Sequence, residues 1–248
     1  MATGRYFTLN TGSKIPALGL GTWRSSYREV YAAVTAALRH GYRHIDTALI
    51  YGNETGAGQA IRNSQIPREQ IFLTTKLWNT YHNKVSKGIG DSLKHLGLDY
   101  VDLYLMHWPK LIDTGVVKAI GVSNFSTRNL QRLLDAGSTK IVPVANQAPQ
   151  ILRGPIYSRN SLLTGPLQEE PSITEINTSA AQVLISWAIQ RGASVIPKSV
   201  TPSKIQQNFQ DFVLEDADFE ELNCLYKDKT VRVVVPQWGV KVFDNDDN

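Results

Sequence analysis

Between residues 43 and 107, three short apolar runs alternate with two stretches of helical apolar period, and no other feature limits the possible folds as much. The runs over 43–46, 71–76 and 101–107 read as strands, and 53–62 and 84–96 read as helices. Strands separated by helices of this length are joined by crossovers, so they run parallel. The rhythm starts earlier, with a strand over 17–22 and a helix over 27–39 whose Val30, Val34, Ala37 and Leu38 recur at helical spacing. It resumes later, with strands over 117–122, 141–145 and 194–196 and helices over 127–136, 180–190, 201–208 and 219–226. Pro202 suits the first position of its helix. A hairpin of 6–8 with 14–15, turning at Asn10, Thr11 and Gly12, precedes the first strand. Residues 231–248 have no clear period and read as a tail.

With 248 residues and 42% hydrophobic content, the chain can bury one large core, so a single domain over 1–248 is expected. The net charge of +4 is scattered, too weak a signal for nucleic acid, and it suits an anionic cofactor. One cysteine, Cys224, excludes an internal disulfide and fits a reducing compartment. The first ten residues contain no apolar signal core, and no run approaches the roughly 20 apolar residues of a membrane span. A cytoplasmic protein is the expectation.

The chemistry gathers where strands end. The run over 43–46 delivers Asp46, with Tyr51 five residues on; 71–76 ends in Lys76 and 101–107 in His107. Barrel enzymes collect their reactive groups at such strand ends, so these four side chains are expected to converge. Tyr51 is a weak acid on its own, and a neighbouring Lys76 ammonium is expected to lower its pKa. Asp46 would orient Lys76, and His107 would hold a substrate oxygen or relay a proton. Singly, each has a plainer use: Asp46 as a helix cap, Tyr51 as core, Lys76 as a solvated strand end, His107 as a buried, hydrogen-bonded histidine. Their joint placement on three successive strands is what favours chemistry. No metal-ligand spacing, Ser-His-Asp signature or complete glycine-rich dinucleotide fingerprint is present.

Seven segments make the chain resemble the aldo-keto reductase family, with fungal-type aldehyde and aldose reductase-like members similar in tone: GLGTW (19–23), GYRHIDTALIYGNE (41–54), TTKLW (74–78), LDYVDLYLMHWP (98–109), VKAIGVSNF (117–125), NQ (146–147) and IPKS (196–199). The resemblance implies an α/β fold, a (β/α)8 TIM barrel, and NADPH-dependent reduction of small or sugar-like aldehydes and ketones to alcohols. It implies Tyr51 as proton donor, Asp46 and Lys76 as the pair that tunes it, and His107 as the residue orienting the carbonyl. Thr22, Asp46, Ser123, Asn124, Gln147, Tyr157, Lys198, Ser199, Lys204 and Asn208 match cofactor-binding positions. Ser, Asn and Gln offer directed donors and acceptors to a carboxamide. Lys204 stands where the family often has arginine, giving a charge without the bidentate fork. Trp23, Trp78 and Trp108, beside His107, match aromatic walls of the substrate pocket.

Two joints depart from this pattern. About nine residues separate His107 from Val117, and about eight separate Gln147 from Ile156, whereas a crossover with its own helix needs roughly a dozen. The expected barrel is therefore incomplete or distorted by two shortened crossovers. A complete barrel of this kind would be a monomer with a carbonyl substrate as its partner, neither nucleic acid nor membrane; uncovered barrel surface would allow association. The alternative reading is a catalytically impaired barrel that binds NADPH or depends on a partner.

Overall fold

The computed structural model describes residues 4–107, 119–125, 127–135, 142–147 and 178–228, except for the side chains of 127–129 and 225–228. The chain opens with an antiparallel hairpin, β1 (Tyr6–Thr8) and β2 (Lys14–Pro16). Six parallel strands follow in chain order: β3 (Leu20–Gly21), β4 (His44–Asp46), β5 (Phe72–Leu77), β6 (Leu103–Met106), β7 (Ile120–Ser123) and β8 (Asn146–Gln147). Leu18 and Gly21 form parallel bridges with Val195 and Lys198, which places the chain beyond residue 194 along the free edge of β3. The sheet is strongly curved. The Gln147 amide on β8 donates to Asp46 on β4 at 3.1 Å, although four strand spacings in a flat sheet amount to roughly 19 Å. The described residues thus form an α/β structure, a parallel sheet curled as part of a barrel, in agreement with the expectation of an incomplete or distorted one.

Helices α1 (Tyr27–Arg39), α2 (Glu54–Asn63) and α3 (Val85–Leu96) cover the first strands, and α4 (Thr127–Asp135) follows β7. In α1, Ser26 and Glu29 form a reciprocal capping box, while Val30, Ala33, Val34, Ala37 and Leu38 make the buried stripe. Helix α5 (Ala180–Gln190) starts with the same device, Ser179 with Gln182. Pro202 opens α6 (Pro202–Asn208) as expected, and α6 buries Ile205 completely. The core between helices and sheet includes Leu20, Ile45, Leu73 and Leu77 from the strands, Val34 and Ala57 from the helices. No helix among the described residues is long and apolar enough to cross a membrane.

Several expectations shift. The first inner strand is shorter than 17–22. The ladder expected over 141–145 forms at Asn146–Gln147, although Val144 N–H and Ala145 O already bond to the β7 backbone. Instead of a strand over 194–196 there are single bridges at Val195 and Lys198, since Pro197 between them has no N–H to offer. The last helix, α7 (Asp216–Asp228), starts three residues before the apolar period because Asp216 and Asp218 complement the helix N-terminus. The two short joints and the tail lie outside the described residues.

Glycines bring α2 against its neighbours. A Cβ at Gly58 would collide with the Leu96 carbonyl and come within 2.6 Å of Leu96 Cα, so backbone packs on backbone. The Gly58→Ala variant gains at most about 1 kcal/mol of helix propensity, which the clash outweighs. We expect a net loss of about 1–3 kcal/mol, measurable by urea denaturation.

Candidate active site

The register of β4 and β5 builds the centre of the site. Asp46 pairs with Thr74, and Lys76 lies two residues further along the same face of β5. That diagonal brings Lys76 Nζ to 2.7 Å from Asp46 Oδ1; Nζ also donates to Thr47 O at 2.9 Å. One layer below, the same diagonal places His44 Nε2 3.0 Å from Thr74 Oγ1. Gly19 leaves room for the His44 ring, since a Cβ there would lie 2.6 Å from Nδ1.

Tyr51 and His107 complete the group. A short 3₁₀ turn, Leu49–Tyr51, ends at Gly52 with φ 66°, and places the Tyr51 ring 5.2 Å from Lys76 Nζ. The His107 ring meets Tyr51 edge-on at 5.8 Å and Trp78 at 5.4 Å. The four side chains expected to converge therefore do so, with Trp78 beside them.

Electrostatics correct one expectation. Burial, with the Asp46 charge adding to it, pushes the Tyr51 hydroxyl above the usual phenol range, not below it. Lys76 does not reverse this because its ammonium is engaged by Asp46 and Thr47 O. Burial raises Asp46 and lowers Lys76, each opposed by its partner, which narrows the gap between their proton affinities. Burial, reinforced by Lys76, drives His107 down to about 3, so its imidazole is neutral near pH 7.

The expected cofactor residues fall into two groups. Thr22 donates its hydroxyl to Asp46 O at 3.0 Å. Ser123 donates to Gln147 O at 3.0 Å, and Asn124, at φ 62°, donates to His107 O at 3.2 Å and Ser123 Oγ at 3.0 Å. With the Gln147–Asp46 contact, this trio is wired directly to the tetrad. Lys198 is exposed and level with Asp46, since Gly21 pairs with both. Ser199 accepts from Thr201 N at 3.2 Å. Lys204 is exposed on α6 and Asn208 half-buried at its end; among the described residues no hydrogen bond joins either to Asp46, Tyr51 or Lys76. Trp23 is 44% exposed, with the Arg24 guanidinium 4.5 Å above its ring. Trp108 and Tyr157 lie outside the described residues.

The sequence reading passed over three buried polar residues. Asn53 bonds Thr22 O at 3.0 Å and Ser25 O at 2.9 Å, tying the loop after β3 to the start of α2. His44 and Glu54, both in the segment 41–54, are also buried. His44 sits in a short strand and Asn53 and Glu54 at a helix start, among polar and small residues, so nothing local marked their burial.

The pair and the histidines yield measurable consequences. Lys76→Met strands a buried carboxylate and should cost about 3–5 kcal/mol in urea unfolding, part of which Asp46→Asn recovers in the double variant. Burial, helped by Lys76, holds His44 down to about 3, so the folded state binds fewer protons than the unfolded one between that value and 6.5. Stability is then expected to fall as pH drops through this window, by about 1.4 kcal/mol per pH unit for this proton. In His44→Asn, that component of the slope in pH-dependent unfolding should vanish.

Comparison with known proteins places this geometry. The aldo/keto reductase family profile matches residues 17–151. Glycerol 2-dehydrogenase (NADP(+)) of Saccharomyces cerevisiae is 41% identical, covering 95% of this chain and 95% of its own. Methylglyoxal reductase DkgA of Escherichia coli strain K12 is 37% identical over 96% of this chain and 100% of its own. The crystal structure of MGS-M4, an aldo-keto reductase from a deep-sea metagenome library, superposes with a TM-score of 0.83 at 38% identity, covering 93% and 99%. The yeast alignment is 297 positions long against a chain of 248 residues, so that relative carries residues where this chain is short. By profile, relatives and fold, this chain belongs to the aldo/keto reductase family, whose TIM-barrel architecture its described residues follow as an incomplete or distorted barrel.

Proposed function

We propose that the protein reduces small or sugar-like aldehydes and ketones to alcohols with NADPH, Tyr51 supplying the proton. The observation that carries this reading is the convergence of Tyr51, Lys76, Asp46 and His107 at the ends of three adjacent strands. Relatives named for glycerol, aldehyde and methylglyoxal chemistry support the substrate class.

The residues present fit a nicotinamide cofactor. Gln147 Oε1 is a buried acceptor without a partner among the described residues, in the position to take an amide N–H. Ser123 and Asn124 both donate to the backbone carbonyl of the same residue, and the exposed cations Lys198 and Lys204 suit a phosphate. When bound, NADPH supplies a hydride to the carbonyl carbon. The chain's own work is to hold the carbonyl and deliver a proton. Neutral His107 presents an imidazole that can donate to the carbonyl oxygen, with the Trp78 ring edge-on beside it. Tyr51 keeps its proton at neutral pH and gives it up only as alkoxide character develops, because an alkoxide is the stronger base. The Lys76 charge then stabilises the phenolate left behind, and Asp46 holds that charge in place.

Tyr51→Phe removes the proton with little contact surface. Its kcat for glyceraldehyde or methylglyoxal, followed by NADPH oxidation, should fall about 10²–10⁴-fold. NADPH affinity, followed by tryptophan fluorescence, should be unchanged. Substantial turnover in this variant sinks the assignment. A second reading, an impaired barrel that binds NADPH without turnover, is favoured by the residues this chain lacks relative to the yeast enzyme. Wild-type binding without oxidation of any carbonyl in a panel would establish it.

A further inference from the structure

Behind the reactive face, α2, α3, β5 and β6 enclose a second set of polar groups that the proposed reaction does not use. Thr75 and Lys76 are consecutive on β5, so they point to opposite faces of the sheet. Lys76 faces the interior with Asp46; Thr75 faces the helices and donates to Glu54 Oε1 at 2.6 Å. The Glu54 side chain is 1% exposed, and its other oxygen, Oε2, lies 3.5 Å from His95 Nδ1 on α3. Ser92 on α3 is fully buried, and the buried Tyr104 on β6 feels the Glu54 charge. A buried carboxylate is costly, and the first turn of α2 offsets only part of that cost.

We propose that Glu54 is a positioning residue of the site, acting through the thickness of the sheet: bonded to Thr75, it keeps the adjacent Lys76 protonated from behind while Asp46 does so from the front. The Asp46 and Glu54 carboxylates thus lie on opposite faces of β5, the first bonded to Lys76 and the second to its neighbour Thr75. Glu54 adds to Asp46 in favouring charged Lys76 against burial. Burial raises Glu54 itself, with Thr75 opposing, and the half-exposed His95 joins the cluster to solvent. The groups facing Glu54 are Thr75 from β5, Ser92 and His95 from α3, and Tyr104 from β6, while Lys76 points to the other face of β5.

The inference rests on the proposed carbonyl reduction for its kinetic consequence, and its test separates the two. Glu54→Gln keeps shape and the Thr75 bond but removes the charge; Glu54→Asp keeps the charge and spoils the fit. In Glu54→Gln the Lys76 ¹³Cε resonance, identified by its loss in Lys76→Arg, should titrate about one pH unit lower than in the wild type. The alkaline limb of the kcat profile should move with it, with KM unchanged, and Glu54→Asp should restore both. A purely structural role predicts the reverse ranking, Glu54→Gln like wild type and Glu54→Asp the damaged one. An unmoved Lys76 titration in Glu54→Gln overturns the proposal whether or not the enzyme reduces carbonyls. A wild-type protein that oxidises NADPH with no carbonyl overturns the proposed function alone, and the resonance still decides the role of Glu54.

Discussion

The pairing of Lys76 with Asp46 inside the sheet is the constraint on which the rest of the structure depends. Two opposite charges can be buried together only if their geometry is fixed, because each alone would carry a large desolvation cost. Here the fixing is done by backbone register, which sets Asp46 opposite Thr74 and so puts Lys76 on the adjoining diagonal. Thr47 O and the Gln147 amide take up remaining hydrogen-bonding capacity of the pair. Strand order, strand direction and the diagonal therefore all serve one ion pair.

That pair also explains the electrostatic character of its neighbours. Burial, reinforced by the Lys76 charge that discourages a second cation nearby, keeps His107 and His44 neutral. With its ammonium committed to Asp46, Lys76 leaves the Tyr51 proton in place. The site is consequently one of neutral donors around a neutralised ion pair, suited to stabilising charge that appears during a reaction and not before it.

Much of this was legible in the chain, and for a physical reason. The repeated helical period and the ionisable residues at strand ends are local signals, so 44–46, 72–77, 85–96 and 180–190 lie close to where they were expected. The direction of the Tyr51 shift was not legible, because it turns first on how deeply the hydroxyl is buried and then on the Asp46 charge beside it. Nor was the burial of Glu54, since a glutamate at a helix start usually faces water and only Thr75 across the packing shows otherwise. Strand limits near Pro197 and Ala145 depended on ladder partners far away in sequence.

The contact of Gly58 with Leu96 fixes how closely α2 and α3 approach. Ordinary helices meet through a compressible layer of side chains that can repack to absorb a shift. At Gly58 that layer is absent, and the helix that begins with Glu54 meets α3 backbone to backbone. A side chain at this position therefore has to displace backbone, because the atoms it meets belong to the Leu96 main chain.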